Sequence, residues 1–128
     1  MKKVLLDTNF ILTCVKQKID FFEDIKLMGF GIIIPEEVTR EVEKVINSKQ
    51  KLHVRENARF AYDLLMKNDF EEVKLSENSN SKNVDGMIRK YAKKHPSLII
   101  ATLDREIKNK TDNRKLMIRE KKKLEIIY

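Results

Sequence analysis

The chain has 128 residues, 41% of them apolar and 37% charged, with three Gly, two Pro, one Cys and no Trp. That composition is too rich in Ile, Leu, Val and Phe for a disordered chain and suits one domain over residues 1–128 with its own core. Lysine and arginine (27) outnumber aspartate and glutamate (20), giving a net charge of +7 and a pI near 9.5 that favour polyanionic partners.

No apolar run approaches the roughly 20 residues of a bilayer span. The first strand-like run begins too early for a signal segment, and Cys14 alone allows neither an internal disulfide nor a thiolate metal cluster. The expectation is a cytoplasmic protein with no membrane partner.

In chain order, Met1 to Leu6 reads as a buried strand, and Asp7, Thr8 and Asn9 open a helix carrying Phe10, Ile11, Leu12 and Val15. Phe21 to Met28 suggests a short helix ended by Gly29, followed by a β-branched strand from Gly31 to Ile34. Pro35 starts a helix to about residue 48, with Val38, Val42, Val45 and Ile46 on one stripe. Val54, Ala58, Ala61, Tyr62 and Leu65 mark another over about 51–68, with Arg55 and Arg59 one turn apart on its flank. Phe70 to Leu75 reads as a strand and Ser76 to Asn83 as a polar loop. Val84, Met87, Ile88, Tyr91 and Ala92 mark a helix closed by His95 and Pro96, and Leu98 to Thr102 is a buried strand. Asp104 starts a last short helix, and strand-like runs at Lys115 to Ile118 and Leu124 to Tyr128 flank the charged stretch Arg119 to Lys123. Strands alternating with helices predict an α/β domain whose mostly parallel sheet is covered on both faces.

Four carboxylates occupy informative places. Asp7 and Asp104 each follow a buried strand, where each can also be a helix N-cap. Glu41 borders the apolar stripe of its helix, and Asp85 lies in the first turn of another. Ligands of open parallel sheets bind beyond the carboxyl ends of the strands, where helix N-termini also gather, so all four can converge there. Such crowding of like charge calls for protonation or a divalent cation, and carboxylates without histidine or thiolate partners suit Mg²⁺ or Mn²⁺.

The segments VLLDTNFIL, IPEEVTREVEKV, VDGMIRKYA and IIATLDREIK resemble, in order, the four acidic motifs of PIN-domain ribonucleases. The resemblance covers nearly the whole chain and implies a three-layer α/β/α sandwich around a mostly parallel sheet. It implies metal-dependent cleavage of RNA that leaves a 5′-phosphate and a 3′-hydroxyl. By motif match Asp7, Glu41, Asp85 and Asp104 are the catalytic, metal-binding acids, and Thr8, Asn9 and Thr102 buttress them. Gly86 stands where many relatives carry Ala or another acid, and Leu103 where Asn is frequent. The basic tail is similar to the archaeal and eukaryotic branch that trims ribosomal RNA precursors. Toxin ribonucleases, which have an antitoxin partner, share the same acids, and family members commonly form homodimers. A noncatalytic RNA-binding assembly factor on the same fold is the reading from another class.

Arg105 to Tyr128 holds nine Lys or Arg against four Asp or Glu. Arg105, Lys121, Lys122 and Lys123, with Arg55 and Arg59, are the expected phosphate contacts, although lysines in such a turn also protect a sheet edge from pairing. Phe10, Phe22, Phe60 and Tyr91 are expected in the core instead of stacking on bases, and Cys14, Met28, Met66, Met87 and Met117 as core fillers. No helix stripe looks surplus to the core. His53 and His95 are read as solvated or capping residues.

Overall fold

The structure is a computed structural model, and it describes residues 2–76 and 83–127; the side chain of Lys121 lies outside that description. In chain order the elements are β1 (Lys3–Leu6), α1 (Thr8–Lys16), α2 (Phe21–Leu27), β2 (Gly31–Pro35), α3 (Glu36–Ile46), α4 (Leu52–Lys67), β3 (Glu71–Val73), α5 (Val84–Lys94), β4 (Ile99–Ala101), α6 (Arg105–Lys110), β5 (Lys115–Arg119), a 3₁₀ turn (Glu120–Lys122) and β6 (Lys123–Ile127). Of the expected polar loop, residues 77–82 lie outside the described residues.

The six strands form one sheet in the order β3-β2-β1-β4-β5-β6, all parallel except β6, which runs antiparallel to β5. Side chains alternate across a strand, and the sequence uses both faces. Val4, Leu6, Ile34, Ile99, Ala101 and Leu116 point into a core shared with Phe10, Phe21, Ile25, Val38, Ala58 and Leu65 of α1 to α4. Leu5, Ile33 and Ile100 point the other way, against Ile88, Ala92 and Ile107 of α5 and α6. These are the three layers of an α/β/α sandwich. Each fully buried Leu, Ile or Phe contributes about 1.5–3 kcal/mol, so the unbroken apolar runs of β1 and β4 fix those strands at the centre.

The chain leaves β1 for β2 on one side and later returns to β4 on the other, pairing Leu6 with Ala101. The sheet therefore reverses its winding between β1 and β4, and a crevice opens beyond their carboxyl ends.

Some expectations need correction. The charged stretch from Arg119 to Lys123 is not a separator throughout, because Arg119 ends β5 and Lys123 begins β6, with an ion pair from Arg119 to Glu125 across them. Phe60 and Met66 are not core residues; they are 70% and 55% exposed on the outer face of α4, as is Leu52. At 100° per residue Phe60 lies 160° from Ala58, outside the stripe that Ala58, Ala61 and Leu65 bury. That outer face is apolar surface surplus to the core. Cys14 and Met87 are buried as expected, while Met28, Met117 and Tyr91 are half-buried. His53 is exposed, and exposed His95 caps α5 with its ring 4.3 Å from that of Tyr91.

Candidate active site

Asp7 follows the last residue of β1, where its backbone N–H still donates to the Ala101 carbonyl of β4 at 3.0 Å. Its extended backbone lets the side chain turn back as the N-cap of α1, and Oδ1 accepts from the Thr8 N–H at 2.7 Å. The residue is only 2% exposed. Its second oxygen, Oδ2, accepts from the Thr102 hydroxyl at 2.8 Å, across 95 residues of sequence.

Thr102 is fully buried just beyond β4, and its hydroxyl does two jobs. It donates to Asp7 and accepts from the Asp104 N–H at 3.0 Å. Asp104 then caps α6, its Oδ1 accepting from the N–H groups of Glu106 and Ile107 at 2.8 and 3.2 Å. Both aspartates are therefore N-caps and neighbours in one crevice, so the capping reading and the cluster reading hold together. Glu41, half-buried on α3, accepts from the Thr8 hydroxyl at 2.7 Å, which ties α3 to the first turn of α1.

Asp85 enters from the opposite layer. Asn83 caps α5 by accepting from the Gly86 N–H at 3.0 Å, placing Asp85 in the first turn. A Cβ at Gly86 would stand 2.8 Å from the Asn83 amide nitrogen, so glycine here keeps the cap free.

Asp7 lies within electrostatic reach of Glu41 and Asp104, and Asp85 within reach of Asp7 and Asp104. Burial raises the Asp7 carboxyl above its ordinary value against the lowering effect of its Thr102 and Thr8 hydrogen bonds, and the charges of Glu41 and Asp104 raise it further. Asp85 is pushed up to about 6, by desolvation first, then by the charge of Asp7 and by a hydrogen bond and repulsion from Asp104, with Arg89 opposing. An aspartate pair hydrogen-bonds only while one member holds a proton. Among the described residues no three or more His, Cys, Asp or Glu side chains stand close enough together to hold a metal ion as they are. The donor set nevertheless fits a hard divalent cation: it is all oxygen, repels itself, and has no lysine or arginine ion pair on any of the four acids among the described residues.

The other expected residues divide. Thr8 and Thr102 bond to the acids, whereas Asn9 is exposed and makes no hydrogen bond to any of them among the described residues. Arg105 directly follows Asp104 and starts α6. Arg55 is half-buried, its Nε without a hydrogen-bond partner among the described residues, and Arg59 is exposed. Lys122 and Lys123 line a shallow cavity with Asp24, Leu27 and Met28 of the α2 region, apart from the four acids. Lys121 lies in the 3₁₀ turn, its side chain outside the described residues.

Sequence reasoning missed Glu37. Its carboxylate accepts from the Leu75 and Ser76 N–H groups at 3.1 and 3.0 Å, anchoring α3 to the chain beyond β3. The only signal was its position one turn before Glu41 on the same helix.

Comparison with known proteins agrees with this geometry. Residues 4–121 match the family described as PIN like domain. Ribonuclease VapC4 of Methanocaldococcus jannaschii is 30% identical over 132 residues, covering 98% of this chain and 97% of its own. Among solved structures, the PIN domain endonuclease Utp24 superposes with a TM-score of 0.71 at 23% identity, covering 98% of this chain and 96% of that one. VapBC2 from Rickettsia felis, solved bound to a DNA fragment from their promoter, gives 0.51 at 16% identity, over 88% and 97%. With the family match running from β1 to the turn before β6, the chain belongs to the PIN-like domain family and carries its nuclease fold.

Proposed function

We propose that this protein is a Mg²⁺- or Mn²⁺-dependent endoribonuclease whose reaction is centred on Asp7, Glu41, Asp85 and Asp104. The observation that carries the reading is the set of hydrogen bonds that joins Asp7 to Asp104 through Thr102 beyond β1 and β4 and ties Glu41 to Thr8 in the turn after Asp7. Relatedness to Ribonuclease VapC4 over nearly the full length of both chains supports RNA as the substrate.

Asp7 and Asp104 would hold the ion most directly, with Asp85 and Glu41 acting through water or a second ion. The chemistry a bound divalent ion supplies is a more acidic water and stabilisation of charge on a phosphoryl oxygen. The protein's residues do the rest. Thr102 fixes Asp7 and Asp104 relative to one another, and Thr8 fixes Glu41. One of the four carboxylates takes a proton from the attacking water as general base. In-line attack of that water on phosphorus breaks the bond to the 3′ oxygen, which takes up a proton from solvent, and leaves a 5′-phosphate and a 3′-hydroxyl.

The expected substrate is ribosomal RNA or its precursor, in the cytoplasm. A second reading, the ribonuclease half of a toxin–antitoxin pair, is favoured by the identity with Ribonuclease VapC4. Incubating the protein with Mn²⁺ and a panel of precursor and mature RNAs tests the enzyme. Cleavage lost in Asp7→Asn supports it, and no cleavage of any RNA leaves the noncatalytic assembly factor. Growth arrest on expression, relieved by the product of an adjacent gene, selects the toxin.

A further inference from the structure

Helices α5 and α6 pack side by side and leave between them a cleft of about 320 Å³. Its walls carry Arg89, Lys90 and Lys93 from α5 and Lys110 from the end of α6, and Asn83 and Gly86, which flank Asp85 in sequence, line it as well. The spacing i, i+1, i+4 sets the three α5 cations along one flank of the helix. No carboxylate lines the cleft among the described residues. Arg89 has a distant acidic neighbour, Glu106 at 3.9 Å, whose side chain is 72% exposed. Lys90, Lys93 and Lys110 make no ion pair among the described residues.

Lysines scattered over a convex face need no explanation beyond solvation. Here two packed helices bring four cations to one concave surface against their mutual repulsion, and concave low-dielectric walls focus the resulting potential. The positive field continues around α6, where burial and then the charges of Arg105 and Arg119 hold the Lys108 ammonium below its ordinary range. From Gly86 to Lys93 the helix rises roughly 10 Å, which gives room for more than one phosphate.

We propose that the α5–α6 cleft is the track on which the phosphodiester backbone of a single-stranded RNA lies as it leaves the carboxylate cluster at Asp85. The identity of that strand rests on the ribonuclease reading. The cleft binds phosphates without reading bases, since its lining offers cations, one amide and the Met87 side chain, with no aromatic platform among the described residues.

The test is binding of a 5′-fluorescein-labelled 20-nucleotide RNA of mixed sequence, followed by anisotropy in EDTA so that nothing is cut. A Lys90→Ala/Lys93→Ala/Lys110→Ala variant is compared with Lys16→Ala/Lys26→Ala/Lys44→Ala, which removes the same charge from exposed positions elsewhere. The cleft variant is expected to bind about tenfold more weakly and to flatten the slope of log K against log salt by about 2, with the control close to wild type. Equal weakening in both variants, or none in the cleft variant, overturns the track. So does loss of polyglutamate binding with RNA binding intact, which would make the cleft a site for an acidic protein. Cleft-dependent RNA binding by a wild type that cuts nothing in Mn²⁺ sinks the ribonuclease reading and leaves the track standing. Cleavage by a wild type whose cleft variant binds equally well does the reverse.

Discussion

The hydroxyl of Thr102 joins Asp7 to Asp104, donating to a carboxylate oxygen of the first at 2.8 Å and accepting from the backbone of the second at 3.0 Å. One side chain beyond β4 thus sets the relative position of two acids that come from different strands.

Replacing Thr102 by Val keeps the shape and removes the hydroxyl. Asp7 loses a buried donor and the Asp104 N–H loses its acceptor, which costs about 1–3 kcal/mol of stability. The Asp7 carboxyl also rises further, so the acidic limb of the cleavage pH profile moves to higher pH. Thr102→Ser should restore both properties. Urea unfolding and pH–rate profiles measure the pair of effects, and a Val variant with an unmoved profile would rule out the link to Asp7.

Asp7→Asn separates chemistry from folding. Asparagine is as good an N-cap as aspartate, and the substitution removes a buried charge that Glu41 and Asp104 repel. Cleavage should fall by about 100-fold or more, while the urea midpoint without metal stays level or rises. Activity equal to wild type would remove Asp7 from the centre.

Asp85 gives the metal-free protein a characteristic pH response. Its carboxyl is pushed up to about 6 in the fold, against about 4 in the unfolded chain. A raised acid opposes folding at pH above both values and stops opposing it as protons bind, so stability rises as pH falls through about 6 towards 4. Asp85 is exposed, and solvent screening holds the effect to under about 1 kcal/mol. The difference in melting temperature between wild type and Asp85→Asn in EDTA should shrink from pH 7.5 to pH 5, whereas added Mn²⁺, which competes with the proton, should favour wild type more at pH 7.5 than at pH 5. A difference constant with pH would contradict the shift.

Cys14 is fully buried, and burial first, with Asp24 second, pushes its thiol up to about 12. The reactive thiolate is then scarce at neutral pH. Disulfide reagents should label Cys14 only as fast as the protein opens, with the rate following denaturant as global unfolding does. Rapid labelling of the native protein would show a local opening of α1.

Much of this was legible in the sequence because the relevant forces are local or periodic. The unbroken apolar runs at Val4 to Leu6 and Leu98 to Ala101 marked the central strands, and the carboxylates Asp7, directly after the first, and Asp104, three residues after the second, marked both a cap and the crevice. Phe60 faces out despite its residue type, because the angle around α4 decides the side and the stripe through Ala58, Ala61 and Leu65 lies opposite it. The bonds from Thr102 to Asp7 and from Glu37 to the chain after β3 span 95, 38 and 39 residues, and no spacing rule reaches that far. The α5 half of the basic cleft was visible as Arg89, Lys90 and Lys93, but its meeting with Lys110 depends on how two helices pack on one sheet face.

The pairing of β4 with β1 also sets when the protein can act during its own synthesis. Translation delivers Asp7 early, yet its partner hydroxyl and the last acid arrive only with residues 102 and 104. Until that strand has left the ribosome and zipped onto the first one, the nascent polypeptide carries no assembled centre.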